Sequence, residues 1–236
     1  MSTDLRVISI GCLAAHPLWD EKTPVRTGHA TTTLIRAGAR TILVDPSLPA
    51  PILGARLAER ANLRPRDITH VFLTCFRPEL RRGLLPAEEG APGAFDHATW
   101  WIGEAEREAV GVPLAAQLRA AAGAGDRELA ETLEREVALL KRCEPAPDRL
   151  GERVDLFPLP GVTPGLCGVL IAGQRHTTLI CGDAVATVEH LEQGQVLPWA
   201  ADVERARESF AEAIEIADLL VPGRDNLVVN PTKRAF

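Results

Sequence analysis

Near the N-terminus of this 236-residue chain, runs rich in β-branched residues alternate with a stretch whose apolar residues recur at helical spacing. This alternation constrains the fold more than any other feature of the sequence. Residues 31–36 and 41–45 are rich in Thr, Ile, Leu and Val, and the residues between them suit a turn, which predicts a β-hairpin. Apolar residues then recur at helical spacing between Pro51 and Asn62, so we expect a helix there. Residues 67–74 return to a strand pattern, and the order strand, helix, strand predicts a layered α/β fold.

The rest of the chain continues this alternation. A stretch rich in Ala, Leu, Glu and Arg at 114–140 predicts an amphipathic helical hairpin, within a helical insertion of about residues 112–145. Two halves, each a sheet with helices, would stack into a four-layer sandwich, and the lack of a Gly/Ser-rich or Pro-rich linker favours one domain over 1–236. The other predicted strands are 7–10, 98–102, 153–156, 167–172 and 176–181, and the other predicted helices are 104–110 and 201–217.

Charge and hydropathy exclude several classes of partner. The formal net charge is −6, with acidic and basic residues interspersed, and the only dense basic cluster is Arg77, Arg81 and Arg82. Three arginines are too few for a nucleic-acid-binding face, so we expect no nucleic-acid partner. The sequence has neither an apolar run of about 18 residues nor a basic start followed by an apolar segment. We therefore expect no membrane partner and a cytoplasmic location.

The cysteines indicate neither a disulfide framework nor a zinc knuckle. Their number is odd, they are widely spaced, and none forms a Cys-x-x-Cys pair. Most of them are expected to be buried thiols. They are Cys12, Cys75, Cys143, Cys167 and Cys181.

Five short motifs occur in a fixed order along the chain. They are Ile42–Pro46 (ILVDP), Thr69–Thr74 (THVFLT), Pro160–Gly165 (PGVTPG), Cys181–Ala184 (CGDA) and Val221–Asp225 (VPGRD). In this order and spacing they resemble the metallo-β-lactamase superfamily, particularly its lactonase-like and glyoxalase-like hydrolases, over nearly the whole chain. The resemblance implies an α/β (α+β) fold, a four-layer αββα sandwich with a helical insertion, and hydrolysis of ester, lactone or thioester bonds.

The resemblance also implies a dinuclear metal site, but most of the ligands that it requires have been replaced, and the family's bridging aspartate is kept as Asp183. After Thr74 the family reads His-x-His-x-Asp-His, and its remaining ligands lie in the last three motifs. A guanidinium has no acceptor lone pair and an alkyl side chain has no donor atom, so the Arg, Leu and Val residues at these positions cannot bind a metal. We therefore expect no zinc and no other cofactor. The former ligand positions are Cys75, Arg77, Glu79, Leu80, Val162, Asp183 and Arg224.

Charge compensation predicts what occupies such a pocket instead. Without metal ions the carboxylates of Glu79 and Asp183 would face one another, and a buried unpaired carboxylate is costly. Arg77 and Arg224 supply two positive charges that would offset them. The hypothesis is an ion-pair cluster beside Cys75, with both guanidiniums against the carboxylates.

Three interpretations of function remain open. The first, which we favour, is a non-catalytic pseudoenzyme that binds a small anion or acts in an assembly, including a homo-oligomer. The second is a metal-free hydrolase with Cys75 as the nucleophile, activated by His29 or His70. The third is a hydrolase with one residual metal held by Cys75, Glu79 and Asp183. In each case the helical insertion would be a pocket lid or a partner surface.

Overall fold

Two six-stranded sheets form the centre of the structure, a computed structural model that describes residues 3–88 and 90–233. In the first sheet the strands lie side by side in chain order, with β1 to β3 antiparallel and β3 to β6 parallel. They are β1 (Asp4–Ser9), β2 (Thr32–Ala37), β3 (Arg40–Val44), β4 (His70–Leu73), β5 (Thr99–Ile102) and β6 (Cys143–Pro145).

The second sheet also follows chain order, from one edge to the other. Its strands pair antiparallel except for the parallel pair β10 and β11. They are β7 (Arg149–Gly151), β8 (Val154–Pro158), β9 (Cys167–Ala172), β10 (Thr177–Gly182), β11 (Leu219–Pro222) and β12 (Val228–Val229).

The helices are α1 (Ala50–Ala61), α2 (Glu104–Ala124), α3 (Arg127–Arg142), α4 (Val188–Gln193) and α5 (Val203–Ile216). The expected separation of a helix at 104–110 from one starting at 114 was wrong, because α2 is continuous and contains Pro113. Pro113 is exposed, so water can hydrogen-bond to the carbonyl group that the proline leaves without a partner. The sequence prediction also omitted α4, β6, β7, β11 and β12, which are too short to show periodicity.

Three apolar clusters separate four layers. One lies between the two sheets and contains Phe72 from the first and Val169 from the second, both fully buried. A second lies between the first sheet and the helices α1 to α3, and a third lies between the second sheet and α5. Trp101 faces the first cluster and Trp100 the second, because successive strand residues point to opposite faces. The predicted αββα sandwich is confirmed.

The sheets place several loops at their carboxyl ends. Asp45 and Thr74 directly follow the parallel strands β3 and β4, while Asp183 and Gly223 follow the parallel strands β10 and β11. Parallel neighbours end at the same edge of a sheet, which is where ligand sites form in layered α/β folds. Among the described residues, no helix combines the length and the apolar character needed to cross a membrane.

We predict that Phe72→Ala lowers the free energy of unfolding by about 3–5 kcal/mol, because it leaves a cavity between the sheets. Urea denaturation followed by circular dichroism measures this. Val112→Ala, at a side chain with 73% exposure, is the control and should change stability by less than about 0.5 kcal/mol. An equal effect of both substitutions would contradict the placement of Phe72 in the main core.

Candidate functional site

The former ligand positions divide into an apolar group and a charged group. Cys75, Leu80 and Val162 are each at most 1% exposed and belong to the cluster beneath α5. They pack as ordinary core side chains. The four charged positions lie beside them, at the carboxyl ends of the strands.

Cys75 lies in an environment that opposes nucleophilic chemistry. Burial raises the pKa of its thiol well above the usual value, and the nearby carboxylates of Asp183 and Glu106 raise it further. A thiolate is the nucleophilic form of cysteine, so burial and the nearby carboxylates disfavour nucleophilic chemistry at this thiol. Neither histidine proposed as its base lies against it: His29 contacts Cys12, and His70 contacts Thr69 and Trp101.

Arg224 and Asp183 form a buried, two-pronged ion pair. Arg224 Nε donates to Asp183 Oδ1 at 2.7 Å and its Nη2 to Oδ2 at 2.8 Å, with side chains 3% and 1% exposed. Burial by itself would raise the pKa of Asp183, but Arg224, and then Arg77, hold it below its usual value. The same pairing raises the pKa of Arg224 despite its burial. Both groups are therefore charged at neutral pH.

Glu79 and Arg77 complete the charged group more loosely. Glu79 Oε1 lies 3.3 Å from Arg224 Nη2, and Arg77 Nη1 lies 3.6 Å from Asp183 Oδ2. The Arg77 side chain is 24% exposed, and within the described part of the chain its other hydrogen bond is a long one of 3.5 Å to the Val162 carbonyl. Both guanidiniums thus lie against carboxylates, and most of the Arg77 N–H groups have no partner among the described residues.

These residues do not suit a divalent metal. Among the described residues, no three His, Cys, Asp or Glu side chains come together as a possible metal site. Arg224 binds both oxygens of Asp183, and an arginine offers no lone pair to a cation. The proposed single-metal set of Cys75, Glu79 and Asp183 is therefore not assembled.

Close backbone approaches hold the charged group in place. A Cβ on Gly223 would lie 2.6 Å from the Gly182 carbonyl carbon, so only glycine lets the ends of β10 and β11 meet there. Asp45, at φ 48°, accepts hydrogen bonds from the backbone nitrogen and the hydroxyl of Thr74 at 2.9 and 2.8 Å. These contacts fix where the loop after β4 and the loop after β11 begin.

Two residues that anchor the loop after β4 were not found from the sequence. Glu106 on α2, 1% exposed, accepts hydrogen bonds from Phe76 N at 3.0 Å, Thr163 Oγ1 at 2.7 Å and Gly165 N at 3.1 Å. Arg81 pairs with a glutamate on α3 and lies over the Phe76 ring at 4.2 Å. Nothing in residue spacing signals these contacts, because they join segments far apart in the chain.

A cavity of about 400 Å³ opens onto the charged group. It also contains Arg82, a half-buried side chain that makes no hydrogen bond or ion pair with the part of the chain that the structure describes. The helical insertion was expected to be a pocket lid or a partner surface, and none of the described residues that line this cavity belongs to 112–145. The wall consists of Leu13, Ala14, Ala15, Pro24, Gly28, Arg77, Glu79, Arg82, Asp183, Trp199 and Arg224.

Comparisons with known proteins identify the fold. No family model and no curated protein matches the sequence. Solved structures do match: AidC, a dizinc quorum-quenching lactonase, is 17% identical with a TM-score of 0.60, over 79% of this chain and 67% of AidC. A Thermotoga maritima protein assigned to the metallo-β-lactamases is 16% identical with a TM-score of 0.66, over 97% of this chain and 100% of that one.

A third structure supports the same conclusion. The hydrolase AbOPH, of the beta lactamase superfamily, is 14% identical with a TM-score of 0.64, over 100% of this chain and 93% of that protein. Identities this low show the fold alone. The chain has the metallo-β-lactamase fold that its five motifs implied.

We predict that Arg224→Gln lowers the free energy of unfolding by about 3–5 kcal/mol at pH 7, because it removes both short hydrogen bonds to the buried Asp183 carboxylate and leaves the longer Arg77 contact. The pKa of Asp183 is lowered from 3.8, so the pair stabilises above that pH and is lost as the pH falls below it. Urea denaturation between pH 3 and 7 measures both effects. The control Arg149→Gln removes a pair whose arginine is 79% exposed and should cost at most about 1 kcal/mol.

The raised pKa of Asp45 predicts a second pH dependence of stability, opposite in sign to that caused by Asp183. Burial raises its pKa to about 7, and the charge of Asp183 adds to this, although the Thr74 hydrogen bonds lower it. Between pH 3.8 and about 7 the folded protein retains a proton that the unfolded chain releases, so stability falls as pH rises. Asp45→Asn should reduce this decrease in the free energy of unfolding with rising pH, as measured by urea denaturation. Asp20→Asn, at an exposed residue with φ 57°, is the matched control and should leave it unchanged.

Proposed function

We propose that this metallo-β-lactamase-fold protein is a non-catalytic binder of a small anion, which Arg77 and Arg82 hold in the cavity at the carboxyl ends of the strands. The single observation that carries the proposal is a guanidinium in place of the metal: Arg224 occupies both oxygens of Asp183. The fold's usual hydrolytic chemistry requires metal ligands at these seven positions, and at four of them the Arg, Leu and Val side chains cannot serve as ligands.

The charge of the cavity supports an anionic ligand. Its wall contains three guanidiniums and two carboxylates, which leaves one positive charge without a counterpart. Arg82 is unpaired among the described residues, and Arg77 makes only long contacts. Guanidiniums bind carboxylates and phosphates through paired N–H groups, so these two arginines are suited to hold the ligand while Arg224 remains bound to Asp183.

The dimensions of the cavity also fit this proposal. A volume of about 400 Å³ lies within the range of small-molecule sites. Trp199 and Leu13 give the wall an apolar part that a short organic acid could contact. The ligand class is therefore a small carboxylate or phosphate.

Assembly through the helical insertion has less support. On α2 and α3 the large hydrophobic side chains that stand exposed among the described residues are Val112 and Leu129, at 73% and 46%. Two separate side chains do not make the extended apolar patch typical of a stable interface. Anion binding is favoured for this reason.

We predict saturable binding of inorganic phosphate or acetate by isothermal titration calorimetry at low ionic strength. Arg77→Gln and Arg82→Gln should each weaken the affinity about tenfold, because each removes a charge-assisted donor worth roughly 1.4 kcal/mol. Arg149→Gln, an exposed arginine outside the cavity, should bind as the wild type does. Absence of binding, or equal binding by all three variants, would refute the proposal.

Hydrolysis is tested with the same preparations. Lactone and thioester substrates are supplied with and without added zinc, and bound zinc is measured by elemental analysis. The proposal expects neither stoichiometric zinc nor turnover. Zinc-dependent turnover that is lost in Asp183→Ala would establish the hydrolase alternative, and metal-free turnover lost in Cys75→Ser would establish the nucleophile alternative.

A further inference from the structure

Cys12 differs from the other cysteines in its exposure and in its partner. It is partly exposed, whereas Cys75, Cys143, Cys167 and Cys181 are buried. Burial raises the pKa of the Cys143 thiol to about 11 and that of Cys167 to about 11, and it raises the pKa of Cys181 further. Chemistry at a thiol of the folded protein is therefore expected at Cys12.

The backbone holds Cys12 against His29. Cys12 N donates to the His29 carbonyl at 2.9 Å, and His29 N donates to the Cys12 carbonyl at 3.0 Å. This reciprocal pair of hydrogen bonds is an isolated antiparallel bridge. It places Cys12 Sγ 3.5 Å from His29 Nδ1, within reach of a thiol hydrogen bond.

Both ring nitrogens of His29 lie close to carbonyl oxygens. Nε2 is 3.1 Å from the Ile10 oxygen and Nδ1 is 3.2 Å from the Thr27 oxygen, and a carbonyl oxygen only accepts. With the ring hydrogen on Nε2 and donated to Ile10, Nδ1 has a lone pair that can take the thiol proton. Once Nδ1 gains that proton, it can donate to the Thr27 oxygen, so each ring nitrogen then has an acceptor.

Cys12 lines a second cavity, of about 250 Å³, which is separate from the anion cavity but shares Leu13 and Arg224 with it. Its charged side chains balance, because Arg26 and Arg224 are matched by Glu189 and Asp225. His16, 3% exposed, also lines it, and His16 Nδ1 has no hydrogen-bond partner among the described residues. A small neutral ligand that can accept or donate hydrogen bonds suits this space.

We infer that Cys12 and His29 form a reactive thiol–imidazole pair that takes a small hydroperoxide as its substrate. His29 Nδ1 accepts the Sγ proton, and the thiolate attacks one oxygen of the peroxide. The S–O bond forms as the O–O bond breaks, and the leaving oxygen takes the proton from His29 and departs as water or an alcohol. Sulfur is oxidised to a sulfenic acid and the peroxide is reduced.

The test exposes the full-length protein to hydrogen peroxide at pH 7 and traps sulfenic acid with a dione reagent, with each cysteine peptide quantified by mass spectrometry. The urea-unfolded wild type is the reference, because the pair exists only in the folded protein. We expect Cys12 to react about tenfold faster folded than unfolded, and the four buried cysteines to react more slowly folded than unfolded. A Cys12 rate that is equal or lower in the folded protein overturns the inference.

Variants separate the role of the base from that of exposure. His29→Gln should slow the Cys12 reaction about tenfold, and Cys12→Ser should abolish the fast adduct. His97→Gln, which alters a histidine bound to the Ile68 carbonyl, is the matched control and should react as the wild type does. A His29→Gln rate equal to that of the wild type overturns the inference. If that variant is unfolded, its buried cysteines react at the unfolded rate, and the wild-type comparison then decides.

Discussion

The buried pair of Arg224 and Asp183 is the interaction on which the rest of the site depends. Each side chain is almost fully enclosed, and without the other each would lose its shortest ion-pair contacts and keep only a longer one, to Arg77 or Glu79, among the described residues. The close meeting of β10 and β11 at Gly223 brings the two residues together. Glu79 and Arg77 then attach to this pair rather than to one another. The ion pair thereby satisfies the buried carboxylate, which in this fold would otherwise require a cation.

The other former ligand positions extend the core instead of the charged cluster. Cys75, Leu80 and Val162 pack with the residues beneath α5, so three of the positions where the family resemblance implies metal ligands are apolar core, and the other four form the salt-bridged cluster. This division explains why the cavity that remains is small and bounded by arginines. It also explains why fold resemblance alone is a poor guide to activity, since the chemistry of a fold resides in its site residues.

The two cavities carry different chemistry although they share a wall. The first has an excess of positive charge and arginine donors with few partners, which favours a small anion. The second is balanced in charge and contains a thiol held against an imidazole. Burial distinguishes this thiol from Cys75, because desolvation disfavours the thiolate wherever no positive charge compensates it.

The sequence by itself determined the order of the longer strands and helices, the four-layer sandwich, and the side chains at the former ligand positions. These follow from local periodicity and from motifs at fixed spacing. Only the tertiary structure decided that α2 runs through Pro113, that Arg82 lies in the cavity without a described partner, and that His29 contacts Cys12 and not Cys75. The physical reason is that periodicity reports which face of a segment is buried. The distance between side chains on different segments depends on how the sheets pack and where their loops meet.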